Sequence, residues 1–121
     1  EINEKKMAEF EVYHNPRCSK SRMALKYLDD KNESYKVVEY LNGSLTSEEL
    51  SAVLDKLSMS PEQLLRKGES IYKELFKNKK LSDKEWIDAM IKYPKLIERP
   101  IVVFADKAVV ARPTEKISEI F

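Results

Sequence analysis

Phe10-Glu11-Val12-Tyr13-His14-Asn15-Pro16-Arg17-Cys18-Ser19-Lys20-Ser21-Arg22 is the stretch from which the rest of the fold can be read. Its first four residues have the alternation of a strand, and Asn15-Pro16 stops it, because proline lacks an N–H and restricts the residue before it. A helix is expected at once. Ser21, Ala24, Leu25 and Leu28 recur at i, i+3, i+4 and i+7, leaving Lys20, Lys26 and Asp29 to solvent and placing Cys18 at the helix N-terminal end. Ser34 to Tyr40 then reads as a second strand through Tyr35, Val37 and Val38. A β-α-β unit of this kind has parallel strands and a right-handed crossover.

The middle of the chain reads as helical. Thr46 with Glu49, Ser60-Pro61 with Gln63, and Ser82 with Glu85 each have the spacing of a capping box. Behind them stand Leu50, Val53, Leu54 and Leu57, then Leu64-Leu65, then Trp86, Ala89, Met90 and Tyr93, with Pro94 ending the last helix. Ile71, Leu75, Tyr72 and Phe76 suggest another short helix. Ile101-Val102-Val103-Phe104, a turn at Asp106-Lys107 and Ala108-Val109-Val110 read as a hairpin. Pro113 is expected at the first position of a short C-terminal helix carrying Ile117, Ile120 and Phe121. The expectation is an α/β fold with a four-stranded mixed sheet flanked by helices, ordered β-α-β, helical insert at about 44–95, then β-β-α. Residues 7–121 are taken as one domain, and residues 1–6, which precede the first methionine, as a vector remnant or disordered tail.

Composition narrows the function. Lys plus Arg number 22 against 21 Asp plus Glu, a balance that argues against a general nucleic-acid binder. The longest apolar run, Ile101 to Ala105, is far short of the roughly 18 residues of a membrane span. A cytoplasmic location is expected, in keeping with an unpaired cysteine. With one Cys and one His the chain cannot form an internal disulfide or a Cys/His metal site, so no metal is expected. Two glycines exclude a Gly-rich phosphate loop.

Cys18 stands where unpaired N–H groups and the helix dipole favour a thiolate, with His14, Arg17, Lys20 and Arg22 nearby in sequence. The alternative is an inert, small apolar residue, and His14 has the alternative of merely capping its loop. Only five of the 22 basic residues are Arg, namely Arg17, Arg22, Arg66, Arg99 and Arg112. Arg99 and Arg112 each precede proline, which defines where the side chain starts, and a guanidinium presents two parallel donors to an oxyanion. An ion pair with one of the acids is the competing reading for each. A Cys-x-x-x-x-x-Arg phosphatase loop is absent because Ala24 occupies the Arg position, and Ser21 breaks a Cys-x-x-Cys motif.

Tyr13-His14-Asn15-Pro16-Arg17-Cys18 with Ser21-Arg22 resembles the active-site segment of glutaredoxin-coupled arsenate reductases. Leu64-Leu65-Arg66-Lys67, Pro94-Lys95-Leu96-Ile97-Glu98-Arg99-Pro100-Ile101-Val102-Val103 and Ala111-Arg112-Pro113 resemble later segments of that family, in the same order from about residue 10 to the end. The chain is most similar to the branch with a Cys-Ser-Lys-Ser-Arg segment. The resemblance implies a thioredoxin-like fold and a catalytic Cys18 whose thiolate is helped by His14 and Ser21. It implies that Arg66, Arg99 and Arg112 hold the oxyanion, that Asn15 and Arg22 support the site, and that Pro100 is its cis-proline. It further implies arsenate or a related oxyanion as substrate, glutathione as co-substrate, glutaredoxin as partner, and no bound cofactor. In the implied cycle Cys18 forms an adduct with arsenate, glutathione displaces oxygen, and glutaredoxin resolves the mixed species. Arg17, Ser19 and Lys20 replace smaller residues of well-established members, adding charge and bulk beside the cysteine. Two other readings stay open: a redox-responsive regulator binding RNA polymerase, whose usual Cys-x-x-Cys switch Ser21 breaks, and a monothiol glutaredoxin-like carrier, which leaves the insert and the later arginines unexplained.

Overall fold

Residues 9–121 are described in the computed structural model of the chain, so the tail expected over residues 1–6 lies outside the described residues. Strand β1 (Phe10–Tyr13) leads through a short loop into helix α1 (Ser19–Asp30), which returns the chain to β2 (Tyr35–Val38). Strands β3 (Ile101–Phe104) and β4 (Lys107–Val110) complete a four-stranded sheet of order β2-β1-β3-β4. The β1/β2 pair is parallel and the other two pairs are antiparallel, which is the mixed thioredoxin-like sheet. The chain forms two compact units, one comprising the chain up to Glu39 with Arg99–Phe121 and the other Tyr40–Glu98.

In the first unit the register aligns Val12 with Val102 and Val102 with Val109. Because side chains alternate along a strand, this row and Phe10 present one apolar face. Ala24 and Leu28 of α1 pack on it together with Ile117 and Ile120, and the Phe10 and Phe104 rings stack at 4.3 Å. The register has a second effect. Tyr13 pairs with Ile101 and Ile101 with Val110, so the end of β1, the start of β3 and the end of β4 lie at one edge of the sheet. Residues just outside those positions, 14–18, 99–100 and 111–112, are thereby delivered to the same place.

Three boundaries differ from expectation. Strand β2 stops at Val38, and Tyr40 lies instead in a 3₁₀ turn, Tyr40–Asn42, where it is fully buried. The hairpin turn is Ala105-Asp106 rather than Asp106-Lys107, with Ala105 at φ +56. The C-terminal element is a 3₁₀ helix, Thr114–Ile120, with Pro113 as its N-cap rather than its first residue. Three residues per turn place Thr114, Ile117 and Ile120 in one stripe, and all three are buried. Phe121 is half exposed, although its ring still meets Phe10 at 5.4 Å and Tyr27 at 6.0 Å.

The second unit carries α2 (Ser47–Leu57), α3 (Ser70–Leu75) and α4 (Asp83–Lys92) with short 3₁₀ segments between. The Thr46/Glu49 and Ser82/Glu85 boxes close in both directions. The Ser60/Gln63 box is present as well: Gln63 Oε1 accepts from the Ser60 N–H at 2.8 Å, and the Gln63 N–H also reaches the Ser60 carbonyl at 3.1 Å, the i→i+3 bond of a 3₁₀ turn. Buried Trp86 meets the Tyr72 and Phe76 rings at 6.5 and 5.8 Å. No helix among the described residues is long and apolar enough to cross a membrane.

Leu28 is fully buried and Met23, on the same helix, is 45% exposed. Leu28→Ala should cost about 2–5 kcal/mol and Met23→Ala less than about 0.5 kcal/mol in urea unfolding. Equal losses would mean that α1 does not pack as described.

Candidate active site

The loop from β1 to α1 is fixed by its own side chains. Asn15 Oδ1 accepts from the Arg17 N–H at 3.0 Å, the Asn15 carbonyl accepts from the Cys18 N–H at 2.9 Å, and the Asn15 N–H donates to Ser21 Oγ at 3.3 Å. Arg22 Nη1 donates to the Pro16 carbonyl at 2.7 Å. Together these bonds tie the turn to the first turn of α1 and leave Cys18 as the N-cap, in extended conformation at φ −95, ψ 122. Its side chain makes no regular cap hydrogen bond, yet the Ser21 and Lys20 amides stand where their N–H dipoles favour negative sulfur.

Two arginines reach the same sulfur from the other end of the unit. Arg112 Nη2 lies 3.6 Å from Cys18 Sγ while its Nε donates to the Arg99 carbonyl at 2.7 Å. The Arg99 side chain also hydrogen-bonds the sulfur. The Ala111 N–H donates to the Pro100 carbonyl at 2.9 Å, and both the Arg99–Pro100 and Arg112–Pro113 peptide bonds are cis. Burial pushes the thiol pKa up, but the Ser21 amide, the Arg99 bond, the Lys20 amide and the Arg99 charge together bring it down from 9.0 to about 7. About half the thiol is then ionised at pH 7, against about one part in a hundred at 9.0.

The other candidate residues have different surroundings. Ser21 is buried, its amide faces the sulfur, and its hydroxyl accepts from Asn15. His14 is buried, donates its backbone N–H to the Val38 carbonyl at 3.0 Å, and has no hydrogen-bond partner at Nδ1. Burial, opposed by Glu39 and reinforced by the Arg22 charge, lowers its pKa, so the ring is neutral at pH 7. Arg66 belongs to the second unit. There its Nη1 meets Glu98 Oε1 at 2.7 Å and its Nε meets Glu69 Oε2 at 3.7 Å, beside a bridge pairing Leu65 with Ile97. Glu98 escaped the sequence reading because 32 positions separate it from Arg66 and no local pattern links them. The Lys20 amide was implicit in the N-cap position. Among the described residues no cluster of three or more His, Cys, Asp or Glu could hold a metal.

Alkylation of Cys18 followed against pH should give a midpoint near 7, and Arg99→Ala should move it upward, slowing alkylation at pH 7 several-fold. An unmoved midpoint would remove Arg99 from the sulfur's environment. His14 gives a second pH signature. Its folded pKa lies below the unfolded 6.5, so the unfolded chain takes up the proton first, and stability is lost as pH falls from about 6.5 toward the folded value. His14→Gln should flatten that part of the urea-midpoint profile relative to the parent.

Residues 13–120, which include the whole Cys18 site, match the model of the ArsC family. The uncharacterised protein YfgD of Escherichia coli is 44% identical over 111 residues, covering 90% of this chain and 93% of that protein. An arsenate reductase of Neisseria meningitidis is 39% identical, covering 94% of this chain and 99% of its own length. The solved structure of an arsenate reductase from Vibrio cholerae superposes with a TM-score of 0.89 at 40% identity, covering 94% of this chain and 98% of that one. With the family model spanning nearly all of the sequence and the same fold in a relative of this similarity, the chain belongs to the ArsC family.

Proposed function

We propose that this protein is a thiol-dependent reductase that converts arsenate to arsenite, with Cys18 as nucleophile and glutathione with glutaredoxin as the external reductant. The observation that carries the reading is the meeting of Arg99 and Arg112 at the sulfur of a cysteine whose pKa is lowered to about 7. A thiolate that repels anions by its own charge needs such cations to approach a tetrahedral oxyanion. Arsenate reductases among the relatives make arsenate the first oxyanion to test.

In this cycle the Cys18 thiolate bonds to arsenic and an arsenate oxygen leaves as water after protonation. Arg99 and Arg112 balance the charge on the remaining oxygens. Glutathione then displaces a further oxygen as water. The two sulfurs on arsenic join as a Cys18–glutathione disulfide while arsenic takes the electron pair and, with one water, leaves as arsenite. A second thiol attacks that disulfide, forming the product disulfide and releasing the Cys18 thiolate. Overall, one arsenate and two thiols give arsenite, a disulfide and water. With one cysteine in the chain, both electrons come from outside it. Ser21 and Lys20 act through backbone amides, Asn15 and Arg22 hold the loop, and His14 serves as a neutral ring beside it.

Oxidation of NADPH through glutathione reductase and glutaredoxin should depend on arsenate. Cys18→Ser should abolish it, and Arg99→Ala should lower kcat/KM by about 100-fold or more, as for loss of one oxyanion donor. Turnover surviving in Cys18→Ser would overturn the proposal.

A further inference from the structure

From Val12 to Leu28 there is no acidic residue, a gap of 17 positions in a chain where 21 of 121 residues are Asp or Glu. The same stretch holds four cations: Arg17, Lys20, Arg22 and Lys26. Two of them are engaged within the fold. Arg22 donates to the Pro16 carbonyl at 2.7 Å, and Lys26 pairs with Asp30 at 2.9 Å. Arg17 and Lys20 are exposed and have no ion-pair partner among the described residues. They flank Cys18 at the positive end of α1, whose first turn contains no acid, so the helix dipole disfavours both charges. The leading contributions to the thiolate come from the Ser21 and Lys20 amides and from Arg99. The two charges thus do not serve the helix, and the sulfur draws its main support from other groups. The Asx turn at Asn15 fixes the backbone of Arg17, so its side chain starts from a defined place beside the nucleophile.

We infer that Arg17 and Lys20 are specificity-determining residues for the incoming thiol, selecting an anionic, carboxylate-bearing thiol such as glutathione over a neutral one. Arg99 and Arg112 are committed to the sulfur side of the site, which leaves the exposed pair to meet the second reactant as it arrives. Unpaired surface cations attract a mobile anion most strongly during approach, so the discrimination falls on the second-order rate and weakens with salt. The inference rests on the proposed reductase cycle only for the step in which an external thiol attacks a species bound to Cys18.

That step can be isolated without arsenate, because Cys18 is the only thiol in the chain. Treatment with 2,2′-dithiodipyridine converts it to a thiopyridyl mixed disulfide. An incoming thiol then attacks the Cys18 sulfur, a new S–S bond replaces the old one, and 2-thiopyridone leaves carrying the thiol proton on its nitrogen. Release is followed with glutathione and with 2-mercaptoethanol, each rate divided by that thiol's rate with a small neutral thiopyridyl disulfide. The normalised glutathione to mercaptoethanol ratio should exceed unity, and should fall about five-fold in Arg17→Ser/Lys20→Ser, in line with two exposed charge interactions. Raising the ionic strength from about 0.02 to about 0.3 M should lower the ratio in the parent but not in the double variant. Lys20→Glu should raise the melting temperature slightly, by suiting the helix dipole, while lowering the ratio further, an opposition that a purely structural role would not give. A ratio unchanged in the double variant, or insensitive to salt in the parent, overturns the inference. Failure of arsenate turnover with the ratio behaving as stated would sink the substrate assignment and leave this inference standing.

Discussion

The negative charge of one sulfur at the head of α1 is the quantity around which the first unit is arranged. Burial opposes that charge, and it is the largest single influence on the thiol. A cysteine as buried as Cys18, with no other help, would remain protonated at pH 7 and be inert. Several weaker contributions reverse the outcome by acting together: backbone dipoles at the helix N-terminus and a hydrogen bond and full charge from Arg99. None suffices alone, so the site depends on geometry from both ends of the chain. That geometry is supplied by the sheet. Because Tyr13, Ile101 and Val110 share one row, the loop carrying Cys18 and the segments carrying Arg99 and Arg112 emerge at one edge. A slip of one residue in the β1/β3 register would turn Val12 and Val102 out of the core and carry Arg99 off the sulfur together.

This linkage explains what was legible in the sequence. Strand β1, helix α1 and the hairpin were readable because burial on one face imposes a period, and periods survive in the sequence. The three expected boxes form for the same reason: their signals lie three residues apart. The errors fall where local signals are degenerate. Ile117 and Ile120, three apart, fit an α-helix and a 3₁₀ helix equally, and only the burial of Thr114 separates the two. The hairpin turn was displaced by one residue because Ala105 is an unusual occupant of a position at positive φ.

The site was legible to a different depth. That Cys18 would sit at a helix N-terminus followed from Asn15-Pro16 and the apolar spacing. That Arg99 and Arg112 would matter was suggested by their prolines, but the contact between Arg112 and Cys18 spans 94 positions and had only family resemblance behind it. Arg66 shows the limit of such reasoning. Its identity fits an oxyanion ligand and an ion-pair partner alike, and in the structure it is held by Glu98 and Glu69. Ser21 teaches a related lesson, since its amide faces the sulfur while its hydroxyl braces Asn15. A substitution there tests the loop before it tests the thiolate.

A single cysteine also constrains what any chemistry here can be. A dithiol protein can resolve its own intermediate inside a closed pocket, but a monothiol protein must admit a second molecule to the same sulfur. Cys18 is 8% exposed, so access to the sulfur is narrow. Activation and access then call for opposite placements of positive charge. Cations that favour the thiolate belong close to the sulfur, where the half-buried Arg99 and Arg112 lie, whereas cations that attract a reactant belong in solvent with no acid nearby to neutralise them. Separating the two tasks between half-buried arginines beside the sulfur and exposed residues of the β1–α1 loop and the first turn of α1 lets each vary without disturbing the other. A substitution at residue 17 or 20 therefore leaves the contacts of Arg99 and Arg112 with the sulfur in place.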